Sequence, residues 1–488
     1  MPRIHINPKI SVSVVFVAAM FINIMDITIV NVALPSIGRQ FGVPETALDA
    51  VAVGYLVSLA VFIPAAGWLG DRIGSKRVLL VAIAVFTGAS VLCGLANSLS
   101  ELVFFRVIQG VGGGMMTPVG MAMLFRTFPP EERVRASSIL TVPTAVAPAL
   151  GPVIGGLLVT DLSWRWVFFV NLPIGAAAIA FGLIFLEEHR QPNPGRFDVP
   201  GFLLAGIGFA AVMFGVSEGP DKGWHSPEII TSIVVGAALL GVMVRVELRT
   251  PKPLLKLRLF GNRLFRSTSL VLMIAMAAFL GVLFAVPLFF QIALGLNALQ
   301  SGLNTFPEAI GVMIGAQVAS RLLYPRIGPR RLVAAGLVGV AGSMLLMTQV
   351  GFDTDLWWMR LLMLTMGLCM AQVIVSSQAA SFATVSPADT GNASSLFNSQ
   401  RQLGSALGVS LVTTVIALVG AVHVVAGHSV PNLTAYHAAF VATAVVALIG
   451  SAVALTIKDA DASATMVRRG ARRPARRGAK PAAVEPAS

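Results

Sequence analysis

Charge is what this sequence has least of. Only 12% of its 488 residues are Asp, Glu, Lys or Arg, while 56% are hydrophobic, and that balance excludes an ordinary soluble domain. Tyrosine is scarce, three against twenty-eight Phe, which suits lipid and apolar cavities better than a soluble core. Cysteine occurs twice, as Cys93 and Cys369, each in an apolar stretch. That excludes a disulfide framework and a cysteine metal site, and it predicts packing roles. No phosphate loop, nucleotide motif, nucleophile–base set or metal-ligand spacing is visible, so the reading is no enzyme, no cofactor and no metal. No cleavable signal peptide is expected, because the first apolar run is too long for one.

What is present is a succession of apolar runs. The first, Ile10 to Ala33, carries a single ionisable residue, Asp26. At about 1.5 Å per helical residue it can cross a hydrocarbon core of roughly 30 Å. Fourteen such spans are expected, separated by short polar segments. The 47 Gly and 28 Pro are tolerated in membrane helices whose neighbours satisfy the freed backbone groups.

The net charge of +13 sits in alternate connecting segments. The other set holds only Arg39, Arg165, Lys222 and Arg360. This asymmetry predicts that both termini face the cytoplasm. It also makes the basic surplus a topology signal, so no nucleic-acid partner is expected. The tail RRGARRPARRGAK is read as a disordered anchor at anionic lipid.

An internal repeat organises the chain. LVFFR at Leu102–Arg106 returns as LWWMR at Leu356–Arg360, and IGSKR at Ile73–Arg77 as IGPRR at Ile327–Arg331, at one spacing. ASSIL at Ala136–Leu140 and ALGPV at Ala149–Val153 return in the same order as ASSLF and ALGVS. The expected fold is therefore an all-α integral membrane protein of two six-helix bundles plus two inserted helices. The boundaries read from the sequence are residues 1–190 for the first bundle, 191–262 for the inserted pair and linker, 263–458 for the second bundle, and 459–488 for the tail. Parallel halves of this kind hold a substrate site between them near the midplane.

DITIVNVALP at Asp26–Pro35, GWLGDRIGSKR at Gly67–Arg77, RVIQGVGGG at Arg106–Gly114 and PALGPVIGG at Pro148–Gly156 together resemble the major facilitator superfamily. More narrowly they resemble its fourteen-helix drug:proton antiporters of the QacA/EmrB type. WRWVFFVNLPIG at Trp164–Gly175 and RQLGSALG at Arg401–Gly408 are similar to that family too. The resemblance runs nearly to Lys458. It implies an exporter of lipophilic or amphipathic drugs, cationic ones included, a monomer whose partners are the bilayer, a small-molecule substrate and protons. The expected location is the bacterial cytoplasmic membrane. The alternatives are a dedicated exporter of one metabolite, siderophore or envelope lipid, and a non-transporting membrane sensor or scaffold.

Individual residues carry two readings each. Asp26 is either a helix-end carboxylate reaching the headgroups or a proton or cation site, since a charge at depth is costly unless paired, wet or protonated. Arg106 either snorkels outward or shares an interior network with Asp26, where an opposed charge and burial pull a carboxyl pKa in opposite directions. Glu308, after Pro307, either reaches the outer face or is a second proton carrier across the cavity. Asn31, Gln109, Gln317, Gln372 and Asn398 are candidate cavity residues or interhelical glue, and Met115 either suits an adaptable apolar pocket or is a lipid-facing or packing residue. Arg401 either marks a helix end or lines the second half, and Asp49 is a weaker acidic candidate.

In the loop motif, Gly67 and Gly74 allow a tight turn and close approach, and Asp71 can pair at a neighbouring helix end. The resemblance implies that Asp71, Arg72 and Arg77 latch the two halves. Gly151, Pro152, Gly155 and Gly156 favour a bent fifth helix packed tightly on a neighbour. The resemblance adds that this packing seals an antiporter against leak.

Overall fold

A computed structural model of the chain describes residues 6–191, 195–352, 354–420, 422–425 and 428–466. Its helices are α1 (Pro8–Phe41), α2 (Glu45–Ile73), α3 (Ser75–Leu95), α4 (Leu99–Thr127) and α5 (Arg133–Asp161). A short α6 (Trp166–Phe169) leads into α7 (Asn171–Phe185), followed by α8 (Val199–Lys222) and α9 (Pro227–Arg249). The second set is α10 (Arg263–Leu288), α11 (Ala298–Val318), α12 (Tyr324–Met347), α13 (Leu356–Ser381), α14 (Thr390–Val419) and α15 (Leu433–Ala454).

Local signals start and stop these helices. Asn7 accepts from the Lys9 amide ahead of Pro8, and Gly42 ends α1 in the left-handed region at φ 66°, the usual glycine stop. Asn297 and Gln300 form a reciprocal capping box at the start of α11. Among the described residues thirteen helices are long and apolar enough to cross a membrane, one of them running from Gln300 to Met347. That one holds two crossings, because Gly328 at φ 76° and ψ 168° breaks it. Counted so, the fourteen expected spans are present.

The repeat is visible in the packing. In the first set α2 and α3 lie on α4, and α1 lies on α5; in the second, α11 and α12 lie on α13, and α10 on α14. The sets meet along two seams, α5 against α11 and α13, and α14 against α2 and α4. The inserted pair α8–α9 packs on itself and lays α8 against α2 and α14. One element departs from all-helix: an antiparallel hairpin, β1 (Val422–Val425) and β2 (His428–Pro431), precedes α15. The residues of the basic tail from 467 onward lie outside those described.

Candidate functional site

Between the two sets lies a cavity of about 530 Å³, within the usual range for a small-molecule site. Its wall is mostly apolar, with Ile24, Leu56, Met276, Phe279 and Phe397 among the contributors. Polar groups enter from Asn23, Thr117, Gln378, Asn398, Arg401, Gln402 and Thr413. Its acids are Asp49, Glu218 and Asp221, and Asp49 and Asp221 are exposed. The cavity therefore opens at the end of the bundle that carries Asp49.

The opposite end, which carries Gly74, is sealed by contacts between the sets. Phe125 stacks on Phe382 with ring centroids 4.3 Å apart. Ser394 donates to the Pro118 carbonyl at 2.7 Å, and the Gly67 amide donates to Ser395 Oγ at 3.0 Å. A side chain at Gly67 would run into the Gly391 carbonyl, so this crossing needs glycine. Arg126 pairs with Asp71 at 2.6 Å and donates from Nε to the Pro387 carbonyl at 3.2 Å. Arg133 donates to the Phe382 carbonyl.

The latch thus differs from the expectation. Asp71 and Gly67 take part in it, but Arg77 faces Glu188 of its own set at 3.6 Å and Arg72 is exposed. Arg72 is in the last turn of α2 and Arg77 in the first turn of α3, and neither pairs with the second set among the described residues. The bridging cation is Arg126 at the end of α4. Sequence reasoning missed it, because a basic residue there reads as topology alone.

Asp26 sits midway along α1 and is 0% exposed. Its Oδ1 accepts from Gln109 Nε2 at 2.9 Å and from Asn171 Nδ2 at 3.0 Å, and its Oδ2 pairs with Arg106. Arg106 is 1% exposed. Its Nη1 also donates to Gln109 Oε1 at 2.7 Å, and its Nε to the Val51 carbonyl at 3.3 Å. Snorkelling is therefore excluded for Arg106, as is a headgroup contact for Asp26. A pair removed from water needs partners for its remaining donors and acceptors, and this network supplies them to both Asp26 oxygens and to Arg106 Nε and Nη1.

Neither Asp26 nor Arg106 lines the cavity. Two residues bridge the gap. The Arg106 guanidinium lies 4.2 Å from the Tyr55 ring centroid, and the Tyr55 hydroxyl accepts from Asn23 Nδ2 at 3.1 Å. Asn23 is on the cavity wall.

The glycine-rich segment Pro148–Gly156 packs on the same helix. A side chain at Gly151 would collide with Thr28, and one at Gly155 would meet Ile29 at 2.9 Å. Both partners are on α1, within a turn of Asp26. Gly156 meets nothing, and the side chain of Pro152 lies outside the described residues.

Several expected cavity residues are elsewhere. Asn31 and Gln317 are exposed. Gln109 belongs to the Asp26 network, Met115 is in the core, and Gln372 donates to the Gly315 carbonyl at 3.0 Å. Only Asn398 of the six lines the wall. A lone amide or thioether on an apolar helix satisfies either role, and the rotation of the helix decides. Glu308 is also corrected: it is buried but absent from the wall, on the side of α11 whose backbone meets Gly367 of α13. Among the described residues its Oε1 has no partner. Arg401 does line the cavity. Among the described residues no group of three or more His, Cys, Asp or Glu is placed to hold a metal.

The family model described as Major Facilitator Superfamily matches residues 16–409. The chain is 31% identical over 409 residues to an uncharacterized MFS-type transporter, YhcA, of Bacillus subtilis (strain 168), covering 84% of this chain and 76% of that one. It is 30% identical over 397 residues to the multidrug resistance protein B homolog of Mycobacterium tuberculosis (strain ATCC 25618 / H37Rv), covering 80% and 73%. Among solved structures it resembles the human organic anion transporter MFSD10 (TETRAN), with a TM-score of 0.65 at 16% identity over 92% of this chain and 99% of that one; this likeness is one of fold alone. A family match over most of the length, with two matching helix sets around a central cavity, places the chain in the Major Facilitator Superfamily of membrane transporters.

Proposed function

We propose that this chain is a proton-coupled antiporter that exports lipophilic and amphipathic drugs across the bacterial cytoplasmic membrane by alternating access. The observation that carries the reading is the join from cavity to buried ion pair, Asn23 to Tyr55 to Arg106 to Asp26. The relative called a multidrug resistance protein B homolog supports the substrate class. The charge asymmetry of the loops supports both termini, and the sealed Gly74 end, facing the cytoplasm. The arrangement described is then the outward-open one, and the protein acts as a monomer.

Coupling follows from electrostatics. A proton on Asp26 cancels the carboxylate and leaves Arg106 as a buried cation, and losing one partner of such a pair costs roughly 3–5 kcal/mol. The protonated protein therefore disfavours this packing. Because α5 is keyed into α1 at Thr28 and Ile29 and also packs on α11 and α13, a shift of α1 is passed to the second set. Glu308, buried on α11 with an unpartnered oxygen, acts as a second carrier.

Cationic substrates remain part of this reading, with Asp49 and Asp221 at the open end as the acids they meet. The test is substrate-stimulated proton movement in proteoliposomes, across a chemically diverse panel. Several lipophilic compounds should each dissipate an imposed pH gradient. A response to one compound only favours the dedicated exporter, and none at all favours the sensor or scaffold.

A further inference from the structure

Arg401 lies twelve positions into α14, about 17 Å along the helix from its Gly74 end and so near the bundle's middle. It is the one cation on the cavity wall among the described residues. Among the described residues it makes no ion pair, and its guanidinium makes no hydrogen bond. Two amides of the wall are also incomplete, Asn398 one turn before Arg401 and Gln378: among the described residues Asn398 Oδ1 and Gln378 Oε1 have no donor. None of the cavity's three acids pairs with it, and Asp49 and Asp221 are exposed at the open end. Trp224, just beyond Asp221, bonds Thr414 at 2.9 Å, and Thr414 stands about 20 Å along α14 from Arg401, which sets the Asp221 end of the cavity well apart from Arg401. Glu218, one turn before Lys222 on α8, shares that lysine with Glu228, at 3.4 and 3.1 Å.

A guanidinium is always charged and presents a planar fork that matches a carboxylate or sulfonate. Held at mid-membrane without a counter-charge, it needs water or an anion. We propose that Arg401 is the anchor of an anion subsite, so that the preferred substrates are amphipathic organic acids, including zwitterions whose amine points to Asp49 and Asp221. This deepens the transport reading and rests on it: the apolar wall takes the lipophilic body, and Arg401 takes the acidic group.

The probe pair is 1-naphthaleneacetate and 1-naphthaleneacetamide, matched in shape and different in charge. Equilibrium binding to the full-length protein in detergent at pH 7 should favour the acid at least tenfold. Arg401→Gln should bring the two affinities together, while Arg401→Lys keeps most of the preference; gel-filtration profile and melting temperature report folding of each. Equal binding of acid and amide by the unaltered protein, no binding of the acid, or an undiminished preference in Arg401→Gln overturns the subsite. Proton movement driven by the acid is read separately in proteoliposomes. Selective binding without proton movement upholds the subsite and sinks the antiport reading.

Discussion

Asn23 donates to the hydroxyl of Tyr55 at 3.1 Å, and this bond joins the cavity wall to the ion pair behind it. The ring of the same tyrosine covers Arg106. Cavity and charge are thus in contact through one phenol, although Asp26 never reaches the cavity.

Tyr55→Phe keeps the ring over Arg106 and removes the hydroxyl. Loss of one such hydrogen bond costs about 0.5–1.5 kcal/mol, so the protein should fold and bind substrate. Proton release on substrate binding should fall several-fold, measured with a pH dye in weakly buffered detergent solution. Unchanged release would remove Tyr55 from the coupling path.

The Asp71–Arg126 pair is nearly buried at the seam. Arg126→Ala leaves Asp71 uncompensated, at a cost of roughly 3–5 kcal/mol, and should release the Gly74 end. Spin labels across that end should show a longer distance population than in the unaltered protein. An unchanged distance distribution in Arg126→Ala would show that the aromatic stack of Phe125 and Phe382 holds the end closed without the ion pair.

Gly151 and Gly156 are a matched contrast within one motif. Gly151→Val should force α5 off α1 at Thr28 and give a proton leak without substrate, by at least several-fold. Gly156→Val points into open space and should leave the leak at its original level. Equal leak in both variants would contradict the packing argument.

Glu308→Gln removes a buried ionisable group that has no cation beside it. Transport coupled to one proton should persist, while transport of dications should fall by tenfold or more. Unchanged dication transport would leave Glu308 with a structural role only.

Much of this was legible in the residues, for physical reasons that can be named. Asp26 and Arg106 stand out because an ionisable group inside an apolar run has few affordable places, and pairing is the commonest. Their helpers Gln109 and Asn171 do not, since uncharged amides are equally at home between helices or on a cavity wall. Spans and repeat follow from apolar length and spacing. The facing of Glu308 depends on how α11 is rotated against α13, which no local pattern encodes. The hairpin at Val422–Pro431 is too short to outweigh the helical signal on either side.

The claim that Asp26 is the principal proton site is tested most directly with Asp26→Asn in proteoliposomes, comparing gradient-driven uptake with counterflow of the same substrate at equal pH. The amide preserves shape and can still accept from Arg106, so counterflow should persist at a measurable rate while uphill, pH-driven transport is lost. Uphill transport retained at the original rate would place the proton site elsewhere and contradict the mechanism.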